Sequence, residues 1–268
     1  MSLIRAMKSD WIKTKKTPFR YTVILVPILF PLLILAYISN YKIDYTFQIK
    51  VYSIYFETVG ISLPMIAAIL TGTNIMGEES AGEFRRLITS PISRTTIYLS
   101  KLLMLILITI IDMFVAIGIL LVGMKFIYHG VNIQYEMFLE GTLLVSIGAL
   151  FLYGLYLIIS MNFGIGPTIA IGAGGTLWGA LLQTGMGDSI WKFVPWAWSG
   201  RLGALPCLVL TDLAKFKNLE AIQGYDDVMK NVYVTEMYSG VPIALISFIV
   251  ITVLGVLWFK RWEGRKVY

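Results

Sequence analysis

Cysteine, histidine and charged residues are all scarce in this sequence. Its 268 residues include one cysteine, Cys207, and one histidine, His129. One cysteine excludes an internal disulfide and one histidine excludes a zinc cluster, so we predict no metal site. Asp, Glu, Lys and Arg make up only 14% of the residues, against about 25% in soluble domains. The phosphate-binding pattern G-x-x-x-x-G-K-[ST] is missing, and no glycine is followed by lysine, which excludes a P-loop ATPase.

Apolar residues are abundant instead, at 57% of the chain with a mean hydropathy of +0.76. They form six runs of about 20 residues, the length that crosses a hydrocarbon core of about 30 Å as a helix. The predicted spans are 19–39, 57–76, 102–127, 138–161, 165–186 and 240–259. The sequence therefore predicts an all-α polytopic membrane protein, with residues 1–268 forming one transmembrane domain. The remaining residues are too few for a nucleotide-binding domain of typical size, so any large soluble activity must come from a partner.

The basic residues are unevenly distributed along this topology. With both termini in the cytoplasm, the cytoplasmic segments hold 14 of the 22 Lys and Arg residues and the external loops hold eight. The positive-inside rule therefore favours an even number of spans and cytoplasmic termini, with 260–268 as a cytoplasmic tail. The net charge of +6 reflects this membrane topology, and we expect no nucleic-acid partner.

Residues 1–17 combine a periodic apolar pattern with many lysines. The apolar residues repeat at helical spacing, at Leu3, Ile4, Met7, Trp11 and Ile12. This pattern predicts an amphipathic helix in the membrane interface that ends before Pro18. A basic topology signal without helical order is the alternative.

The segment between the second and third spans contains signals for a short cytoplasmic helix. Ser80 and Glu83 form an S-x-x-E capping box, which predicts a helix start at Ala81. Pro91 disfavours helical geometry at the preceding residue and should end the helix. The prediction is a helix over about 80–90.

One face of this predicted helix is apolar. Phe84, Leu87 and Ile88 share a stripe that Arg85 and Arg86 flank. A short helix with such a stripe, held between two spans, suits insertion into a groove on another protein. A helix that merely lies on lipid is the alternative.

The sequence GEESAGEFRRLITSPISR, from Gly77 to Arg94, is similar to the cytoplasmic coupling segment of ABC-2 type transporter permeases. The layout also resembles this ABC-2, or type V exporter-like, architecture, with an interfacial N-terminal helix, six spans and a long external segment before the sixth. Within the superfamily the chain resembles the small permease subunits of lantibiotic-immunity transporters, the MutG/EpiG type. Members commonly have threonine where this chain has Glu83, and two leucines where it has Leu87 and Ile88.

The resemblance implies a non-catalytic permease subunit in the bacterial cell membrane, without a cofactor of its own. Its partners would be a cytoplasmic ABC ATPase dimer that holds Mg-ATP, a second and non-identical permease, and membrane lipid. It would expel a lantibiotic, a cationic antimicrobial peptide, and so give immunity. The ATPase-coupling residues implied are Glu79, Gly82, Glu83, Phe84, Arg85, Arg86, Leu87 and Pro91. The alternatives are export of another lipid, glycan or drug, and a subunit that binds the peptide without moving it.

Glycines are concentrated in the fifth span, where Gly175 and Gly179 form a G-x-x-x-G pattern. Small residues allow close approach of two helices in a membrane. The resemblance favours contact with the second permease, and packing within the chain is the alternative.

Two further places are candidate substrate contacts. Asp112 lies in the third span, where a charge is costly. We expect it either to contact the substrate or relay protons, or to be a protonated, hydrogen-bonded structural residue. The external segment 187–239 carries Trp191, Trp196 and Trp198, which we expect at the lipid interface on short helices that dip into the outer leaflet. A lid that contacts no ligand is the alternative.

Overall fold

The computed structural model describes residues 3–44, 47–82, 84, 89, 92–127, 133–210 and 225–264. The α-helices in this part of the chain are α1 (Leu3–Lys13), α2 (Pro18–Ile38), α3 (Phe47–Ser80), α4 (Arg94–Ile127), α5 (Tyr135–Phe163), α6 (Ile165–Leu182), α7 (Pro195–Ala204) and α8 (Tyr225–Arg261). Three short 3-10 helices flank α7, at Gly185–Gly187, Trp191–Phe193 and Leu205–Val209.

Six of these helices, α2 to α6 and α8, are long and apolar enough to cross a membrane, which confirms the predicted all-α polytopic fold. Each contains most or all of one predicted span. Several helices are longer than the apolar run that they contain. Helices α3 and α4 each have 34 residues, which gives a length of about 51 Å at 1.5 Å per residue. Helix α8 begins at Tyr225, so the last part of the predicted external segment, residues 225–239, is helical.

The predicted N-terminal helix is present as α1, and it packs against α4. Ile4 and Ile12 are exposed, whereas Trp11 lies under the guanidinium of Arg20, with 3.4 Å between the guanidinium carbon and the ring centroid. Pro18 occupies the first turn of α2, where its missing N–H breaks no hydrogen bond.

Helix α7 lies inside the bundle, packed against α3, α5 and α6. The approach is close because glycines replace side chains at the contacts. A Cβ added at Gly60 of α3 would lie 2.3 Å from the Gly200 Cα, and one at Gly148 of α5 would lie 2.5 Å from the Ser199 amide nitrogen. Such small-residue contacts are typical of membrane helices, and they explain how a short helix can be buried among long ones.

Candidate functional site

Four charged side chains meet where α1, the end of α3 and the start of α4 converge. Lys101 of α4 is 1% exposed, and its Nζ lies 2.8 Å from Glu78 Oε1 and 3.5 Å from Asp10 Oδ1. Lys13 approaches the same two carboxylates at 3.1 and 3.2 Å. Ser100 donates a hydrogen bond of 3.2 Å to the other oxygen of Asp10. We call Asp10, Lys13, Glu78 and Lys101 the charge cluster.

The charge cluster is electrically balanced, since two carboxylates meet two ammonium groups. Burial alone lowers the pKa of Lys13, but the carboxylates of Glu78 and Asp10 outweigh it, so the pKa of Lys13 lies above its ordinary value. Two buried carboxylates tolerate loss of water here because each is paired and hydrogen-bonded. The cluster therefore joins α1 to the two helices that bracket residues 81–93.

The start of the predicted coupling helix needs correction. Ser80 is the last residue of α3 rather than the cap of a new helix, and Ala81 and Gly82 form a turn. Gly82 has φ of +133°, a conformation that glycine adopts readily and other residues avoid. A helix start at Ala81 is thus wrong.

Five of the predicted coupling residues lie outside the described part of the chain: Glu83, Arg85, Arg86, Leu87 and Pro91. Their proposed contacts with an ATPase remain predictions. The described ones are Glu79, Gly82 and Phe84, and all three lie next to the charge cluster in sequence.

Phe84 is packed inside the chain rather than presented on a surface stripe. It is 3% exposed, and its ring meets the ring of Trp262 edge-on at 5.1 Å between centroids. Arg94 at the start of α4 donates hydrogen bonds to the carbonyl oxygens of Lys260 and Trp262. The segment between α3 and α4 is therefore connected to the end of α8, a contact that the sequence analysis missed.

We call this end of the bundle the coupling end, after the predicted coupling segment. Here α1 contacts α3 and α4, and Phe84 and Arg94 contact the end of α8. A family model described as "ABC-2 family transporter protein" matches residues 6–173. The chain belongs to this family. The match includes the charge cluster and the α3–α4 segment. It supports a membrane permease of an ABC exporter and implies partnership with an ABC ATPase. A search of curated proteins found no match.

In this ABC-2 permease the fifth-span glycines contact another part of the same chain. Gly175 and Gly179 are both buried against Trp196, and a Cβ added at Gly175 would lie 2.0 Å from the indole ring. The indole N–H of Trp196 donates a hydrogen bond of 3.0 Å to the Tyr156 hydroxyl. The prediction that these glycines meet a second permease is therefore wrong, because the tryptophan already occupies that face.

The tryptophans of the predicted external segment pack against other residues of the chain. Trp191 and Trp198 are each 3% exposed, and the Trp198 indole donates to the Lys192 carbonyl oxygen. Trp191 and Trp198 are folded inward by α7 and its flanking 3-10 helices, Trp196 is half-buried, and the predicted substrate contacts of the three residues remain predictions. Three exposed apolar residues lie on or beside the first two 3-10 helices, at Met186, Ile190 and Phe193. We call these three the outer patch.

Asp112 of α4 lies on the wall of a small cavity between α2, α3 and α4, together with Thr109 and Tyr55. The cavity volume is about 30 Å³, which is room for one or two water molecules and not for a peptide. Contact between Asp112 and a substrate remains a prediction.

Proposed function

We propose that this ABC-2 permease, with a separate ATPase and a second permease, removes a lantibiotic from the outer leaflet and returns it to the medium. Lantibiotics are cationic, amphipathic peptides that accumulate in that leaflet. A permease that protects the cell must therefore bind an apolar peptide face at the outer end of its bundle. The feature that carries the proposal is the outer patch.

The outer patch lies beyond the end of α6, at the end of the bundle opposite to α1. The exposed fractions of Met186, Ile190 and Phe193 are 74, 46 and 83%. The backbone beneath them is held in place, because Arg201 donates hydrogen bonds to the Leu182 and Thr184 carbonyl oxygens and pairs with Asp188 at 2.8 Å. Apolar side chains on a rigid support bind an amphipathic ligand at a low entropic cost.

Electrostatic attraction adds to this contact only at short range. The Asp188 side chain is 68% exposed beside the patch, but Arg201 already balances its charge, so its attraction for a cationic peptide is weak. Exposed charges are screened beyond a Debye length of about 8 Å at physiological salt, so most of the binding free energy should come from apolar burial.

The energy for release would come from the ATPase at the opposite end of the bundle. We propose that the ATPase binds the α3–α4 segment, with Leu87 and the flanking Arg85 and Arg86 as contacts. Phe84 would act from within by packing that segment against Trp262. Movement of the segment would then reach α1 and α4 through the charge cluster.

The test is protection of a lantibiotic-sensitive cell that expresses the chain with its ATPase and companion permease. Replacing Met186, Ile190 and Phe193 together by serine should remove most of the protection and leave more peptide on the cells. The matched control is Ile43→Ser, because Ile43 is 53% exposed in the α2–α3 connection outside the outer patch. Full protection by the triple variant would contradict the proposal. Protection against unrelated drugs but no lantibiotic would instead favour a general exporter.

A further inference from the structure

Helix α8 runs between the two ends of the bundle that the proposed function uses. It contains 37 residues, Tyr225–Arg261, which gives a length of about 55 Å at 1.5 Å per residue. Its first turns contact the 3-10 helix Trp191–Phe193 at the outer patch, and its last turn contacts Arg94 at the coupling end. The same helix therefore has attachments at both places.

At the coupling end, Arg94 holds the last turn of α8. The final carbonyl groups of a helix have no partner within the helix, and the Arg94 guanidinium donates hydrogen bonds to the carbonyl oxygens of Lys260 and Trp262. The ring of Phe84 packs edge-on against the ring of Trp262, with 5.1 Å between centroids. Phe84 belongs to the α3–α4 segment and Arg94 is the first residue of α4, so a movement of this segment acts directly on the end of α8.

At the opposite end, α8 contacts the 3-10 helix that carries Phe193 of the outer patch. Glu236 Oε2 lies 2.9 Å from Lys192 Nζ, and both side chains are partly buried. A Cβ added at Gly240 would lie 2.6 Å from Cη2 of Trp191, so the tryptophan ring rests on the backbone of α8. An ion pair and a close packing contact therefore attach this 3-10 helix to α8.

Between these attachments, α8 is the least buried of the six membrane-length helices. Exposed apolar side chains cover its outward face, at Ile246, Ile249, Val250, Val253 and Leu257. In a membrane this face meets lipid chains, which are as apolar as the side chains and impose no fixed packing. Helix α3 also reaches from the coupling end to α7, but it is packed against α2, α5, α6 and α7 in a close-packed interior that resists shifts. A shift of α8 thus disturbs fewer fixed contacts than a shift of α3.

We propose that α8 transmits movement of the α3–α4 segment to the outer patch, with Arg94 and Glu236 as the positioning residues at its two ends. Rigid helices and packed side chains carry coupling of this kind between distant sites. Glu236 and Lys260 are 24 positions apart in one helix, which gives about 36 Å, and the helix continues through Pro242, as membrane helices tolerate. Displacement of the Trp191–Phe193 helix then changes the apolar surface that Phe193 offers. This inference rests on the proposed function, because it takes the outer patch as the peptide site.

The distance between two spin labels, measured by double electron–electron resonance, tests this route without any peptide. In a chain with Cys207 replaced by serine, the labels are attached to cysteines introduced at Ser189, beside the outer patch, and at Ile43 in the α2–α3 connection, which are both exposed. The chain is reconstituted with its companion permease and an ATPase variant that binds ATP without hydrolysing it. We expect ATP to change the label distance by about 2 Å, the size of a typical helix shift. An unchanged distance would overturn the proposal.

Two variants assign this change to α8. Arg94→Ala removes the guanidinium that holds the last turn, and Glu236→Gln removes the ion pair with Lys192. Each should abolish the ATP-dependent change while the label distance without ATP and the co-purification of the ATPase stay the same, which a merely structural role would not produce. A full change in either variant would overturn the proposal and favour transmission through α3 and α7.

Two matched controls should keep the full ATP-dependent change. Arg261→Ala removes an exposed arginine from the same end of α8, and Glu136→Gln neutralises an exposed glutamate in the first turn of α5. Loss of the change in either control would contradict the assignment to Arg94 and Glu236. Glu236 lies at the end of α8 opposite to the ATPase, so Glu236→Gln decides the question even if Arg94→Ala fails to fold. Because no peptide is present, the outcome does not depend on whether the cargo is a lantibiotic.

Discussion

Replacing Lys101 by methionine should destabilise the chain by about 3 kcal/mol. Methionine keeps the length and packing of the stem, so the change removes mainly the ammonium group that lies 2.8 Å from Glu78 and 3.5 Å from Asp10. Breaking a buried ion pair by removing one partner costs about 3–5 kcal/mol, because a charge stays buried without compensation. We expect the lower end of this range, since Lys13 still contacts both carboxylates.

Unfolding by SDS titration of the detergent-solubilised chain, followed by circular dichroism, measures this loss. The control is Lys192→Met, because Lys192 and Glu236 form a 2.9 Å pair in which each side chain is 28% exposed. Removing such a partly exposed pair should cost at most about 1 kcal/mol. Combining Lys101→Met with Glu78→Gln should recover part of the loss, with an interaction energy of about 1–3 kcal/mol. A Lys101→Met chain as stable as the control variant would show that the cluster is solvated and would refute the reasoning.

Two further predictions concern topology and helix packing. In a chain with Cys207 replaced by serine, a cysteine introduced at Lys15 should not react with an impermeant thiol reagent in intact cells, whereas a cysteine introduced at Asp188 should react. Labelling at Lys15 would show that the N-terminus faces outward and would contradict the predicted orientation. Gly175→Leu should cost about 1–3 kcal/mol by overpacking against the indole, whereas Gly174→Leu should be nearly neutral because no atom lies within 4 Å of its added Cβ. Equal unfolding curves for the two glycine variants would restore the alternative of an intermolecular contact.

The spans could be predicted from the sequence because run length and hydropathy respond directly to membrane thickness. Their ends could not, since a helix that has already formed continues at little cost into polar sequence. Ser80 illustrates this: its capping box is a local signal, but α3 extends through it. Residues 225–239 are likewise too polar for a predicted span, yet they form the first turns of α8.

The charge cluster escaped the sequence analysis because its members are far apart in the chain. Asp10 and Glu78 are 68 positions apart, and their spacing carries no periodic signal. Lys101 directly precedes an apolar run, and in the sequence such a lysine indicates only the cytoplasmic end of a span. The glycines of α6 had the opposite difficulty: their pattern predicts a close contact, but it does not state whether the partner belongs to the same chain.

Transport in a purified system tests the central claim most directly. The chain, its ATPase and its companion permease would be reconstituted in lipid vesicles. The coupling end and the ATPase would face the lumen, which contains ATP. A fluorescent lantibiotic would be bound to the outer surface of the vesicles. We predict ATP-dependent loss of peptide from the membrane into the medium, and no loss with an ATPase variant that cannot hydrolyse ATP. Equal loss of peptide with the active and inactive ATPase would contradict the account.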